Sequence, residues 1–232
     1  MPFTNYNGVL QTTGNSCGAF ALAAAMDNFG IPLPNQNAHL LNTANLAQGF
    51  DQAVSVVSNA GGAAGFGNSI YAVTGNLLLD LTVPDATYQY TAPVSDRNSP
   101  STLAYVATLF GFATVVYYDP TGHATFNAVT VNNLTGQGNL FDTELAIIGT
   151  QPAITVTPLP GYTTLPAANQ VHMLLVDNNH WVAINNTQLY DPATGYVGVY
   201  NINNPLPLAT ITYMHNGVIE DYDFSGIWIQ VQ

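Results

Sequence analysis

The sequence predicts an α+β fold, with a helical N-terminal half packed on an antiparallel β-sheet drawn from the C-terminal half. Two observations lead there. Helix-forming segments gather before Gly111, whereas short β-branched and aromatic runs separated by turn residues dominate after Ala113. No alternation of strand and helix suggests βαβ units, and no internal repeat is visible. A chain of 232 residues suits one domain with a core that needs no staples.

The first helix opens at Cys17. Ala19 through Ala25 are strong helix formers, Phe20, Ala24 and Phe29 share a face, Asn15 or Ser16 is the N-cap, and Gly30 with Pro32 ends the run. Two further helices are expected over Asn37–Leu46 and Asp51–Ser58. Gly61, Gly62, Gly65 and Gly67 read as a flexible break between subdomains. Leu77–Val83 reads as a buried strand, followed by a turn at Pro84-Asp85. Ser99-Pro100-Ser101 opens a helix with Leu103, Val106, Ala107 and Phe110 on one face and Gly111 beyond its end. Strands are then expected at Ala113–Tyr118, Phe126–Val131, Ala153–Thr157, Val171–Asp177, Trp181–Asn185, Gly198–Tyr200, Leu208–Met214 and Ile227–Val231. Asp177-Asn178-Asn179-His180 forms a hairpin connection between two of them.

Composition removes several classes of function. Thirteen Asp and Glu stand against one Arg (Arg97) and no Lys, a net charge of −12. Nucleic-acid binding needs several phosphate-neutralising cations, and anionic membrane surfaces need the same. Neither partner is expected. The single cysteine excludes an internal disulfide and a thiolate-rich zinc site. No basic n-region precedes an apolar stretch, and no window offers the roughly 18 consecutive apolar residues of a spanning helix. The expectation is a soluble chain, cytoplasmic by default. The absence of Lys has a plain compositional reading and a sharper one. The sharper one is an exported effector that escapes ubiquitin attachment inside a eukaryotic cell.

Two stretches carry chemistry. In Gln11-Thr-Thr-Gly-Asn-Ser-Cys17-Gly18, the thiol sits at a helix N-terminus, where the macrodipole and free N–H groups favour thiolate. The Cys17 N–H is also placed to hold a developing oxyanion, and the Gln11 side chain supplies a second donor if the chain doubles back. The second stretch runs from His180-Trp181 to Asp191-Pro192 and Gly195. If Asn185-Asn186-Thr187 make a turn, Asp191 returns to the His180 end of the hairpin. A carboxylate there fixes the imidazole tautomer and steadies its charged form.

Gln11, Cys17-Gly18, then a late His180-Trp181 with Asp191-Pro192, resembles the papain-like cysteine peptidase superfamily, most nearly the bacteriocin-leader-processing type and related bacterial cysteine peptidases. The resemblance implies a papain-like fold and a thiol hydrolase acting on a peptide or protein substrate, with no metal or organic cofactor. It assigns Cys17 as nucleophile, His180 as base and acid, Asp191 as its orienter and Gln11 as oxyanion donor. The long separation of Cys17 from His180 implies insertions around residues 61–99 and 123–166.

Other readings stand beside this one. Glutamine deamidation and acyl transfer use the same machinery, and a binding module can keep the fold without catalysis. A lone Cys in an apolar helix is commonly an inert core residue. His123 follows a turn sequence, His172 starts an apolar strand, and His39 and His215 lack an acid pattern, so none rivals His180 as base and no paired spacing supports a three-His metal site. Asp142 with Glu144, and Glu220 with Asp221 and Asp223, read as solvated acidic surface.

Overall fold

The alanine run folds as its propensity dictates. In the computed structural model, which describes residues 2–59, 61–82, 86–93, 96–121, 128–133, 136–203 and 210–232, helix α1 spans Cys17–Asp27 and is buried from Cys17 to Met26. A helix apolar all round belongs inside a core, and small side chains let its neighbours come close. The nearest is α2 (Gly62–Thr74), where a flexible break was expected. Each helical glycine costs about 1 kcal/mol of propensity. Here glycine permits contact instead: a Cβ on Gly67 would lie 2.8 Å from Phe20 Cδ2. Burial of Phe66, Ile70 and Val73 against that interface outweighs propensity.

Gly67→Ala is therefore expected to destabilise the protein, even though alanine is the better helix former. Overpacking of about 1–3 kcal/mol exceeds the roughly 1 kcal/mol propensity gain. A lower denaturation midpoint with an unchanged slope is the expected result, and a raised midpoint would contradict the close α1–α2 contact.

A second departure lies between these helices. The helices predicted at Asn37–Leu46 and Asp51–Ser58 are instead an antiparallel hairpin of β1 (Gln36–Leu41) and β2 (Phe50–Val57). Val54, Val56 and Val57 are β-branched and alternate in exposure, with Val54 and Val56 outward and Val57 buried. Gly49 makes the approach to β2 at φ +67°, and Phe50 stacks on Tyr105 with ring centroids 3.8 Å apart.

Tyr105 belongs to α3 (Pro100–Leu109), which follows prediction: Ser99 is the N-cap, its Oγ accepting from the Thr102 N–H at 3.4 Å, and Gly111 lies just beyond the end at φ +87°. Helix α4 (Leu140–Gly149) has no counterpart in the sequence reading, although Asn139 caps it by accepting from the Asp142 N–H at 3.2 Å. These are the four α-helices of the described residues.

A five-stranded sheet is ordered β5-β3-β4-β7-β8, with β3 (Gly75–Asp80), β4 (Thr87–Tyr90), β5 (Arg97–Asn98), β7 (Thr130–Asn133) and β8 (Gly136–Asn139). It occupies much of the two segments read as insertions. Pro84-Asp85, His123, the start of the predicted Phe126–Val131 strand and Leu208-Ala209 lie outside the described residues.

The larger sheet carries most of the chain after Ala113, and it is antiparallel as expected except where Thr114–Tyr118 pairs in parallel with Ile154–Pro158. It contains β6 (Thr114–Tyr118), β9 (Ile154–Pro158), β10 (Val171–Val176), β11 (His180–Ile184), β12 (Leu189–Asp191), β13 (Tyr196–Gly198), β14 (Asn201–Asn203), β15 (Thr210–His215) and β16 (Val218–Val231). The strand predicted at Gly198–Tyr200 begins earlier, because pairing with β12 places Tyr196 opposite Asp191. Strand β16 joins two layers. Its C-terminal part lies between β10 and β6, whereas its N-terminal part pairs with β15. Gly226 at φ +92° lies where the pairing changes.

Residues along β10, β11 and β16 consequently alternate between two cores. Met173, Leu175, Trp181, Ala183 and Ile229 join the core that contains α1. Leu174, Val176, Val182, Ile184 and Trp228 join a second core under the β14–β15 ribbon. No helix of the described residues is long and apolar enough to cross a membrane.

Candidate functional site

The site forms where the N-terminus of α1 meets the β10–β11 hairpin. Val176 pairs with His180 across a short loop in which Asp177 and Asn178 take positive φ, +48° and +61°. Asn and Asp tolerate that conformation better than most residues. The loop delivers the Asn179 carbonyl to Cys17, whose Sγ lies 3.8 Å from it.

Asp191 reaches His180 through register. Ala183 faces Tyr190 and Ile184 faces Leu189, so Asp191 stands on the His180 face of the sheet, diagonal to it. The Asn185-Asn186-Thr187 turn is pinned by Asn185 Oδ1, which accepts from the N–H groups of Thr187 at 2.9 Å and Gln188 at 2.8 Å. His180 Nε2 is then 2.8 Å from Asp191 Oδ1. With Nε2 held by the carboxylate, Nδ1 is the nitrogen left for the Cys17 thiol.

Asp191 is fully buried and saturated with donors. Oδ1 accepts from the Ala193 N–H at 2.8 Å as well as from His180. Oδ2 accepts from the hydroxyls of Tyr213, Tyr222 (2.9 Å) and Thr194 (3.2 Å). The Tyr222 ring also lies tilted against His180 at 5.3 Å between centroids. Tyr213 and Tyr222 come from β15 and β16 and went unnoticed in the sequence, where they are two tyrosines among thirteen. Only the pairing of distant strands brings them onto the carboxylate.

Burial alone would push the His180 imidazole down. The hydrogen bond to Asp191, the influence of the neighbouring Cys17, and the Asp191 charge overcome it and raise the imidazole to about 10. Burial would raise Asp191, but His180⁺ and the Tyr213 and Ala193 donors depress it to about 2. The two shifts affect stability at opposite ends of the pH scale. The imidazolium contribution is complete below the unfolded pKa of about 6.5 and is lost as pH rises through the folded value. The carboxylate contribution is present above about 3.9 and is lost as pH falls through the folded value near 2. His180→Ala should accordingly flatten the alkaline limb of the stability–pH curve. An alkaline limb unchanged from the parent would contradict a raised His180.

The first turn of α1 holds further donors. The Ala19 N–H goes to Asn98 Oδ1 at 3.3 Å and the Phe20 N–H to the Ser16 carbonyl at 3.2 Å, so among the described residues the N–H groups of Cys17 and Gly18 keep no acceptor. Gly18 keeps open an approach other than the one expected from the sequence. A Cβ there would lie 2.7 Å from Asn98 Cβ, so it is Asn98 that closes on the helix.

Gln11 lies in the loop before α1, tied to the Asp191 loop by its N–H to the Pro192 carbonyl at 2.8 Å. Its side-chain Nε2 donates to the Thr13 carbonyl at 2.9 Å, leaving one amide hydrogen, and its Oε1 is buried without a partner among the described residues. No hydrogen bond joins Gln11 to Cys17 or His180 among the described residues. Tyr71 of α2, also missed in the sequence, is buried, and its hydroxyl has no partner of good geometry. Burial, then the charges of Asp96 and Cys17, raise its phenol against a lowering contact with Thr13.

The remaining expectations divide. Trp181 is core, 2 % exposed. His172 is buried against Tyr162, whose hydroxyl is 2.6 Å from Nδ1, and burial pushes it down to about 3. Glu144 departs from the expected solvated surface. It is fully buried on α4, accepting from the Tyr90 hydroxyl and from the Ser101 N–H at 2.7 Å. Among the described residues no three His, Cys, Asp or Glu gather as metal ligands. Comparison of the chain with protein-family models, curated proteins and solved structures gives no match.

Proposed function

We propose that the chain is a cysteine-dependent hydrolase of papain-like type that cleaves a peptide or amide bond through a Cys17 thioester. One observation carries this reading: a thiol in the first turn of a helix contacts the carbonyl of Asn179 at 3.8 Å, one residue before an imidazole whose Nε2 lies 2.8 Å from a buried carboxylate.

In this mechanism His180 takes the Cys17 proton, and the thiolate adds to the substrate carbonyl. The resulting oxyanion receives the free N–H of Cys17, with the remaining Gln11 amide hydrogen as a second donor. His180 Nδ1 gives its proton to the leaving amine, and the C–N bond breaks. Water, deprotonated by the same nitrogen, then releases the acid and restores the thiol. Asp191 stays ionised throughout and keeps Nδ1 directed at the sulfur.

A diverse peptide mixture incubated with the protein and with Cys17→Ser tests the proposal. New peptide termini formed only by the parent are expected. One-dalton gains on glutamine without new termini would indicate a deamidase instead, and an unchanged mixture would leave a binding module.

A further inference from the structure

Arg97, the sole Lys or Arg of a chain with net charge −12, shares a pocket with Asn98 and Asn179, two residues that contact the first turn of α1. The pocket is small; its amide-bearing walls are Asn98, Asn178 and Asn179, and its other walls are largely apolar. Two of those walls touch the nucleophile's own turn. The Asn179 carbonyl is the acceptor 3.8 Å from Cys17 Sγ, and Asn98 Oδ1 accepts the Ala19 N–H.

The guanidinium is half-buried, its Cζ 5.7 Å from the centroid of the Tyr88 ring, and no described carboxylate forms an ion pair with it. The side-chain amides of Asn178 and Asn179 make no hydrogen bond among the described residues. A cation in so acidic a protein would ordinarily find an internal carboxylate. This one rests against the Tyr88 ring and shares its pocket with Asn178 and Asn179.

We propose that Arg97 is the specificity-determining residue of the site and holds a carboxylate of the substrate near the carbonyl that Cys17 attacks. The proposal rests on Cys17 being the nucleophile. A guanidinium accepts a planar carboxylate through two parallel N–H···O bonds, and the Asn178 and Asn179 amides add donors. The pocket volume of about 20 Å³ admits about one water-sized group, such as one oxygen of a carboxylate. A phosphate ordinarily draws on several cations, which this chain does not contain. The long-range field repels acidic partners but is screened within about 8 Å at physiological salt, so Arg97 acts on a group already in the cleft.

Three thiol-directed probes test this on the full chain: the bromoacetyl derivatives of glutamine amide (neutral), glutamate α-amide (side-chain carboxylate) and glutamine free acid (terminal carboxylate). Intact mass reports Cys17 modification. One of the two acids is expected to react about ten- to a hundredfold faster than the neutral probe, and which one identifies the source of the carboxylate. The ratio should fall to about one in Arg97→Gln, persist in part in Arg97→Lys, and shrink with added salt. Equal rates for all three probes, with fast His180-dependent reaction, would overturn the role of Arg97 alone. Reaction of every probe no faster than a free thiol would overturn the nucleophile assignment, and this inference with it.

Discussion

Asp191→Ala is expected to cost about 3–5 kcal/mol of folding stability and to abolish fast modification of Cys17 at neutral pH. The carboxylate is fully buried and takes hydrogen bonds from His180, the Ala193 N–H, and the hydroxyls of Thr194, Tyr213 and Tyr222. Removing it strands these donors and an imidazole whose raised affinity for protons depends on Asp191 and Cys17. Burial then prevails and pulls the imidazole down. Asp191→Asn is no gentle substitute. Its amide would present N–H toward groups that are themselves donors, and it is expected to lose activity while unfolding at an intermediate denaturant concentration. Urea midpoints and the pH profile of Cys17 alkylation check both results. A stability within about 1 kcal/mol of the parent for Asp191→Ala would show that this network does not hold the sheet edge to the β15–β16 ribbon.

Glu144→Leu is the second large effect, with an expected loss of about 2–6 kcal/mol and no change in Cys17 reactivity. Each buried donor left without an acceptor costs about 1–3 kcal/mol, and this substitution orphans two, the Tyr90 hydroxyl and the Ser101 N–H. The loss should be partly recovered in Tyr90→Phe/Glu144→Leu, which removes one stranded donor. Burial raises the Glu144 carboxyl, and the Tyr90 and Ser101 donors oppose the shift. Its contribution is thus greatest below its unfolded pKa of about 4.3 and falls as pH rises through the higher folded value. A Glu144→Leu protein as stable as the parent at every pH would remove Glu144 as the link between α4, β4 and α3.

The parts of the architecture legible in the sequence were those fixed by neighbours along the chain. Ser99-Pro100 and the alanine run after Cys17 carry their own helix signals, and His180 and Asp191 are joined through one tight turn whose residues are visible as Asn185-Asn186-Thr187. Tertiary contacts decided the rest. Gly67 looks like a breaker until Phe20 is set against it, and the Val54–Val57 segment looks helical until β1 pairs with it. Glu144 resembles solvated charge, because nothing local announces that Tyr90 and Ser101 will enclose it. Within the site, Cys17, His180 and Asp191 were visible in chain order. Tyr213 and Tyr222 were not, because each reaches the site from a strand without local sequence linkage to it.

The central claim is that Cys17 and His180 form a thiolate–imidazolium pair. The rate of Cys17 alkylation by iodoacetamide, followed by intact mass from acid to alkaline pH in the parent and in His180→Ala, measures it directly, since the chain has one cysteine. The pair predicts rapid modification well below the free-thiol pKa of about 8.5, lost in the variant. A slow reaction that rises only near that value, identical in both proteins, would contradict it.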